Sequence, residues 1–268
     1  MQKMKFWKMS GAGNDFVLLT GGRLGTAALK RLAIKLCAQR LAVGADGLLY
    51  VNKAGADSVS MRYFNSDGSE AFCGNGSRCC AWWAHSSGLM KSKTFLLKTI
   101  SGDLEAGIVG AESVKMRMPD VREVKTGYKG KYPSGIKTLH FLNTGVPHAV
   151  VPVKNLDSTD VFGLGRALRN NKAFGGPGAN VNFVKVIAGR IYVRTYERGV
   201  EAETLACGTG ITASAVALGL DEKVKSPVTV IARSGEKFRV WLKRAGKGAT
   251  GIYIQGPARI VFQGEIKL

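Results

Sequence analysis

The chain is short of acidic groups and histidines and has no long unbroken apolar run, and each shortage closes a class of function. Among 268 residues, 19 Asp and Glu stand against 39 Lys and Arg, a formal charge of +20. In bulk this resembles a nucleic-acid-binding protein. The cations are scattered, however, with no long basic run and no RNA-recognition signature beside them. A solvated basic surface that steers anionic ligands is the simpler expectation, and no nucleic-acid partner is expected. The longest uncharged stretch, Thr204–Leu220, is bounded by Glu203 and Asp221 and is rich in Gly, Thr and Ser; the similar stretch Ala71–Met90 carries Arg78. A bilayer span needs about 20 apolar residues, so no membrane partner is expected. The basic segment Met1–Ser10 lacks an apolar core, and no secretory signal is expected from it.

Cysteine is odd in number: Cys37, Cys73, Cys79, Cys80 and Cys207. An odd set without an export signal fits free thiols in a reducing cytoplasm rather than a disulfide framework. There is no C-x-x-C, and the three histidines (His85, His140, His148) offer no close pair, so no metal is expected. The Gly-x-Gly at Gly11–Gly13 is not followed by a helix with dinucleotide spacing, and the polar turn Asn65–Glu70 lacks the EF-hand spacing. No cofactor is expected.

What is present is a duplication. Cys73-Gly74-Asn75-Gly76 and Cys207-Gly208-Thr209-Gly210 lie 134 positions apart, half the chain length. The same offset matches Gly11 with Gly145, and Gly44-Ala45-Asp46 with Gly178-Ala179-Asn180. The chain therefore reads as two copies of one unit, each with a thiol. A cysteine followed by Gly-x-Gly and an apolar helical run has a physical meaning. The first helical turn leaves backbone N–H groups unpaired at the positive end of the macrodipole. Such a terminus binds a carboxylate or phosphate and favours thiolate over thiol.

Periodicity places a helix at Thr26–Arg40, capped by Thr26, with Leu29, Leu32, Ala33, Leu36 and Cys37 on its apolar face. Buried helices are expected at Asn75–Ser87 and Thr209–Leu220, and a helix at Thr159–Asn171 as the repeat counterpart of Thr26–Arg40. Cys79, Cys80, Trp82 and Trp83 then pack the first buried helix, and His85 and His140 are structural. Strand patterns fill most of the remainder. The segment Pro119–Gly135, charged and rich in Gly and Pro, is the expected linker. The expected domains are 1–125, completed by a returning strand in 258–268, and 126–257.

Three thiol chemistries compete. A thiol–disulfide oxidoreductase wants its cysteines close in sequence. A cysteine hydrolase wants one cysteine with a base, for which His148 is the candidate, and leaves the second Cys-Gly loop without a role. A two-base racemisation uses both: one thiolate removes a proton from a stereocentre and the other thiol protonates the opposite face.

The residues that complete the pattern are Gly11-Ala12-Gly13-Asn14-Asp15-Phe16, Phe64-Asn65-Ser66-Asp67-Gly68-Ser69-Glu70, Cys73-Gly74-Asn75-Gly76-Ser77-Arg78-Cys79, Thr144-Gly145-Val146-Pro147-His148-Ala149 and Glu197-Arg198-Gly199 with Glu203 through Gly210. In this order they resemble diaminopimelate epimerase. The resemblance implies an α+β fold of two pseudo-symmetric domains, each a curved, mostly antiparallel sheet wrapped round a central helix. It implies a pyridoxal-independent isomerase that converts LL-2,6-diaminopimelate to the meso form for lysine and peptidoglycan precursor synthesis. Cys73 and Cys207 would be the acid and base. Gly74, Asn75, Gly208 and Thr209 would hold the α-carboxylate, and Asn14, Asn65, Asn180 and Arg198 other polar groups of the substrate. His148 and Glu197 would lie near the thiols, with Glu197 also accepting from the ammonium. The expected partner is diaminopimelate, the location cytoplasmic, and a homodimer is allowed for. The sequence departs from the family where Val146 replaces a frequent Asn, where Gly47 replaces an occasional Gln, and by one extra residue between Glu197 and Cys207. These changes bear on substrate choice, so a racemase of another amino acid is the alternative within this class. A basic nucleic-acid-binding protein is the alternative outside it.

Overall fold

The computed structural model describes residues 3–176 and 178–267; Met1, Gln2 and Leu268, included in the expected first domain, lie outside the described residues. In chain order the elements are β1 (Lys3–Gly11), β2 (Asn14–Thr20), α1 (Thr26–Cys37), β3 (Gly47–Gly55), β4 (Ser58–Asn65), β5 (Glu70–Ala71), α2 (Gly74–Ser86), β6 (Thr94–Thr99), β7 (Gly102–Gly110) and β8 (Ser113–Arg117). There follow β9 (Arg122–Lys129), β10 (Thr138–Asn143), β11 (Pro147–Pro152), α3 (Val161–Arg169), β12 (Asn180–Ile187), β13 (Arg190–Glu197) and β14 (Ala202–Thr204). The chain ends with α4 (Gly208–Leu220), β15 (Val228–Ile231), β16 (Lys237–Ala245), β17 (Gly248–Pro257) and β18 (Arg259–Lys267). It divides into two compact units, Met1–Met116 with Gly256–Leu268, and Arg117–Gln255.

Both units have the same topology. In the first, β1 pairs antiparallel with β18 and β2, β2 runs parallel to β3, β3 antiparallel to β4, β4 parallel to β6, and β6, β7 and β8 form an antiparallel meander. In the second, β10 pairs antiparallel with β9 and β11, β11 runs parallel to β12, β12 antiparallel to β13, β13 parallel to β15, and β15, β16 and β17 form the meander. The short strands β5 and β14 return on β4 and β13. Each sheet wraps a helix: α4 touches β10, β11, β12, β13, β15 and β16, and α2 touches β1, β2, β3, β4, β7 and β18. The fold is mixed α+β, as the resemblance implies.

Burial explains the sequence patterns. β2 and β3 are covered on both faces, so Phe16–Leu19 and Leu48–Val51 are continuously buried rather than alternating. Val17, Leu19, Leu48 and Tyr50 face α1, whose Leu29, Ala33, Leu36 and Cys37 complete that core. β6 is covered on one face only and alternates buried with exposed. α4 is apolar on its whole circumference because strands surround it, and Gly210 through Leu218 are all buried.

Local expectations fail where a long-range partner intervenes. Thr26 is the first helical residue and not the cap: Gly25 stands at the N-cap without a side-chain bond, and Thr26 Oγ1 accepts from Arg62 Nη2 at 2.8 Å. The helix stops at Cys37, and Arg40 takes φ +66° in the turn that follows. The segment Pro119–Gly135 is not a free linker. It contains β9, which pairs with β10 across the expected boundary at 125. β9 is mostly exposed and charged, as suits an outer strand, so it carries little apolar alternation to read.

Candidate functional site

Each unit builds one half-site at the N-terminus of its central helix. Cys73 is the N-cap of α2, with extended backbone (φ −139°, ψ 111°), and its Sγ accepts from Gly76 N at 3.4 Å. Ser77 closes the first turn, its N and Oγ both donating to Cys73 O at 2.8 and 2.9 Å. Asn75, buried, donates from Nδ2 to Asn14 Oδ1 at 2.6 Å and accepts at Oδ1 from Arg78 Nη2 at 2.7 Å. Asn14 donates to Asp46 Oδ2 at 2.8 Å. Asn65 is knitted into its own turn, accepting from Tyr63 Oη at 2.8 Å and donating to Ser69 Oγ at 2.9 Å. At Gly47 a Cβ would fall 2.5 Å from Phe64 O and from the Tyr63 ring, so the side chain that some family members carry there is excluded by Tyr63.

In the second unit Cys207 is the N-cap of α4 (φ −118°, ψ 110°), and its Sγ lies 3.4 Å from Thr209 Oγ1. Thr144 Oγ1 donates to Thr209 O at 3.2 Å, tying the Thr144–His148 loop to the helix start. Asn180 Oδ1 accepts from Arg198 N at 2.8 Å, and its Nδ2 donates to Pro147 O at 3.3 Å. Glu197 Oε2 accepts from Thr204 Oγ1 at 2.9 Å. His148 is fully buried. Thr195 Oγ1 donates to Asn182 Oδ1 at 3.0 Å, which leaves Asn182 Nδ2 to donate to Ala149 O and to His148 Nδ1, both at 3.1 Å. The ring proton therefore sits on Nε2, a donor without a partner among the described residues. Burial, helped by the charge of Arg198, pulls the His148 pKa down to about 3, so the ring is neutral.

The remaining three cysteines lie away from the helix N-caps, in the core of the first unit. Cys37 and Cys79 are buried and burial pushes their thiols up to about 12; Cys80 is raised for the same reason. Such thiols are packing groups. Trp83 is buried beside them, while Trp82 lies at the half-exposed edge of α2. His85 bonds Met90 O through Nδ1, and His140 Nδ1 accepts from Gly127 N. Among the described residues no group of three or more His, Cys, Asp or Glu is placed to hold a metal ion.

Of the residues singled out in the sequence, Asn14 meets Asn75, Thr209 meets Cys207 and Asn180 meets Arg198, whereas Asn65 is bonded within its own turn. Sequence reasoning passed over Asp46, Arg78, Asn182 and Thr195 as site residues. A signal for Asn182 exists: it is a polar residue between Val181 and Phe183 on the buried stretch of β12. The cradle at Gly210 is equally specific, since a Cβ there would fall 2.3 Å from Asn182 Oδ1.

With this geometry in view, the comparisons with known proteins agree. The family model for diaminopimelate epimerase matches residues 6–124 and 140–261. The diaminopimelate epimerase of Chlorobaculum tepidum is 38% identical over 265 residues, covering 97% of this chain and 100% of that protein. The diaminopimelate epimerase of Aquifex aeolicus is 39% identical over 280 residues, 98% of each. Among solved structures, a PhzF-family phenazine biosynthesis protein of Bacillus anthracis has a TM-score of 0.75 at 18% identity over the full length of both chains. A hydroxyproline epimerase from Agrobacterium vitis, with bound trans-4-OH-L-proline, has a TM-score of 0.68 at 17% identity, covering 98% of this chain and 92% of that one. The two structures share the fold, and the two sequences, with the matched family model, decide the family: the chain belongs to the diaminopimelate epimerase family.

Proposed function

We propose that this protein interconverts LL-2,6-diaminopimelate and its meso isomer by a two-base, pyridoxal-independent mechanism. The observation that carries the reading is that each of two topologically identical units caps its central helix with a cysteine, Cys73 or Cys207. In the forward step one sulfur, as thiolate, takes the α-proton, and the C–H electron pair stays on the α-carbon and its carboxylate. The other sulfur, as thiol, then delivers its proton to the opposite face, so the two sulfurs exchange protonation states in each turnover. Gly74, Asn75, Gly208 and Thr209 present the first-turn N–H groups that stabilise the carboxylate as it gains negative charge. Asn14, Asn65, Asn180 and Arg198 bind the other polar groups of the substrate. Glu197 accepts from its ammonium, and neutral His148 serves as a donor near the thiols.

No helix among the described residues is long and apolar enough to cross a membrane. We place the enzyme in the cytoplasm, in keeping with its five free cysteines. A homodimer is the assembly proposed; Val261 and Phe262, exposed on β18, support it, and light scattering tests it.

The test is α-proton exchange in deuterated water. Cys73→Ala and Cys207→Ala should each lower epimerisation by about 10³-fold or more. Full epimerisation and exchange by either variant would sink the two-thiol scheme. Val146 and Gly47 bear on specificity, so the same assay over a panel of L-amino acids decides between diaminopimelate and another substrate.

A further inference from the structure

In the Cys73 half-site four side chains form one hydrogen-bonded chain whose direction is set at both ends. Asp46 Oδ2 accepts from Asn14 Nδ2 at 2.8 Å, Asn14 Oδ1 from Asn75 Nδ2 at 2.6 Å, and Asn75 Oδ1 from Arg78 Nη2 at 2.7 Å. An amide can be turned round to exchange donor for acceptor, so two amides between neutral groups can run either way. Here a carboxylate, which only accepts, stands at one end, and a guanidinium, which only donates, stands at the other. Either end alone imposes the observed direction, because each link dictates the next.

Both ends are anchored. Asp15 N donates to Asp46 Oδ2 at 3.2 Å, Asp46 N donates to Asp15 Oδ1 at 3.1 Å, and Lys8 forms an ion pair with Asp15. Arg78, 1% exposed, also donates to the carbonyls of Gly74 and Pro257. A guanidinium buried this completely is costly unless it is held by acceptors, and the Asn75 oxygen accepts from it at 2.7 Å.

The direction matters because a carboxylate ligand can only accept. As the chain runs, Asn14 turns its nitrogen toward Asp46 and has a second N–H beyond the one donated there. Reversed, the same position would hold a carbonyl oxygen, which repels an anion. We propose that Asp46 and Arg78 are positioning residues, a redundant pair that keeps the Asn14 amide nitrogen, and not its oxygen, directed to an anionic group of the substrate. The proposal rests on the reading of Asn14 and Asn75 as substrate-binding residues.

The experiment compares kcat, KM and Tm for Asp46→Asn, Arg78→Gln, the double variant, and Asp46→Asn combined with Arg78→Lys, which keeps a donor-only end. Each single change leaves one fixed end, so KM should rise less than about threefold; the Asp46→Asn/Arg78→Gln protein should rise about tenfold beyond the product of the singles, with kcat falling less. The Asp46→Asn/Arg78→Lys protein should stay with the Asp46→Asn single. Multiplicative effects, or equal damage in the two double variants, would overturn the proposal, because a merely structural role predicts both. An activity-independent readout is the solvent exchange of the Asn14 and Asn75 side-chain NH₂ protons by NMR. It should be slow in the wild type and in both singles, and fast exchange in either single overturns the redundancy even if the double variant fails to fold. A wild type with slow exchange and no epimerase activity would sink the functional reading, and the substrate-directed part of this proposal with it, while the fixed direction of the amides would stand.

Discussion

The two cysteine-capped helices share a backbone plan and differ in what lies behind them. Strand order, the parallel crossovers and the N-cap cysteine repeat from one unit to the other. So does a bidentate ion pair beside each cysteine loop, Arg62 with Glu70 and Arg194 with Glu203, each bonded twice at 2.7 Å. Behind Cys73, however, the helix carries the buried cation Arg78, whereas the matching position of α4 is Thr212, whose hydroxyl simply bonds back to Gly208 O at 2.9 Å. In the Cys207 half-site, His148, Asn182 and Thr195 form a buried neutral network, on which the charge of Arg198 acts. Duplication has preserved the topology and let the electrostatics diverge. The proposed reaction needs one sulfur ionised and the other protonated at any moment, so unequal surroundings are compatible with it.

Acid should expose the difference most strongly. His148 is held neutral, with a folded pKa of about 3 against an ordinary value of 6.5, and burial also lowers His140 in the same unit. The unfolded chain therefore binds more protons below pH 6.5, so stability is complete above that pH and declines as pH falls toward 3. The His148 contribution is about 1.4 kcal/mol per pH unit. Hydrogen exchange at pH 5 should show the second unit losing protection before the first, and His148→Gln should flatten the dependence. Equal acid sensitivity in both units would erase the contrast.

A smaller effect is expected at the helix glycines. A Cβ on Gly210 meets Asn182 Oδ1 at 2.3 Å, an atom fixed by Thr195, whereas one on Gly76 meets the flexible end of Leu49 at 2.8 Å. Gly210→Ala should destabilise by about 1–3 kcal/mol in urea denaturation. For Gly76→Ala the helix-propensity gain of about 1 kcal/mol should offset the crowding. The smallest contrast concerns the ion pairs, where side-chain exposures are 31% and 21% in one unit and 14% and 24% in the other. Glu70→Gln and Glu203→Gln should each cost about 1 kcal/mol, and a large inequality would show that the two pairs are not equivalent.

Elements whose information is local were legible. The apolar face of α1 at Leu29, Ala33, Leu36 and Cys37, and the uniformly apolar α4, follow from periodicity alone. β9 and the short β5 and β14 were not, because each exists by pairing with a distant strand rather than by a strong pattern of its own. The same reason hid part of the site. Asn14 meets Asp46 across 32 residues and Asn75 across 61, and His148 meets Asn182 across 34.

The sequence by itself determined that there are two units, that each sets a thiol at a helix start, and that the thiols are Cys73 and Cys207. A capped terminus is written within four consecutive residues, and its chemistry needs nothing from further away. Tertiary structure alone decided which charges and amides stand behind each thiol, that Arg78 is buried, and that His148 is neutral. Those properties depend on loss of water and on partners brought together by the fold, and neither is a property of any local stretch of chain.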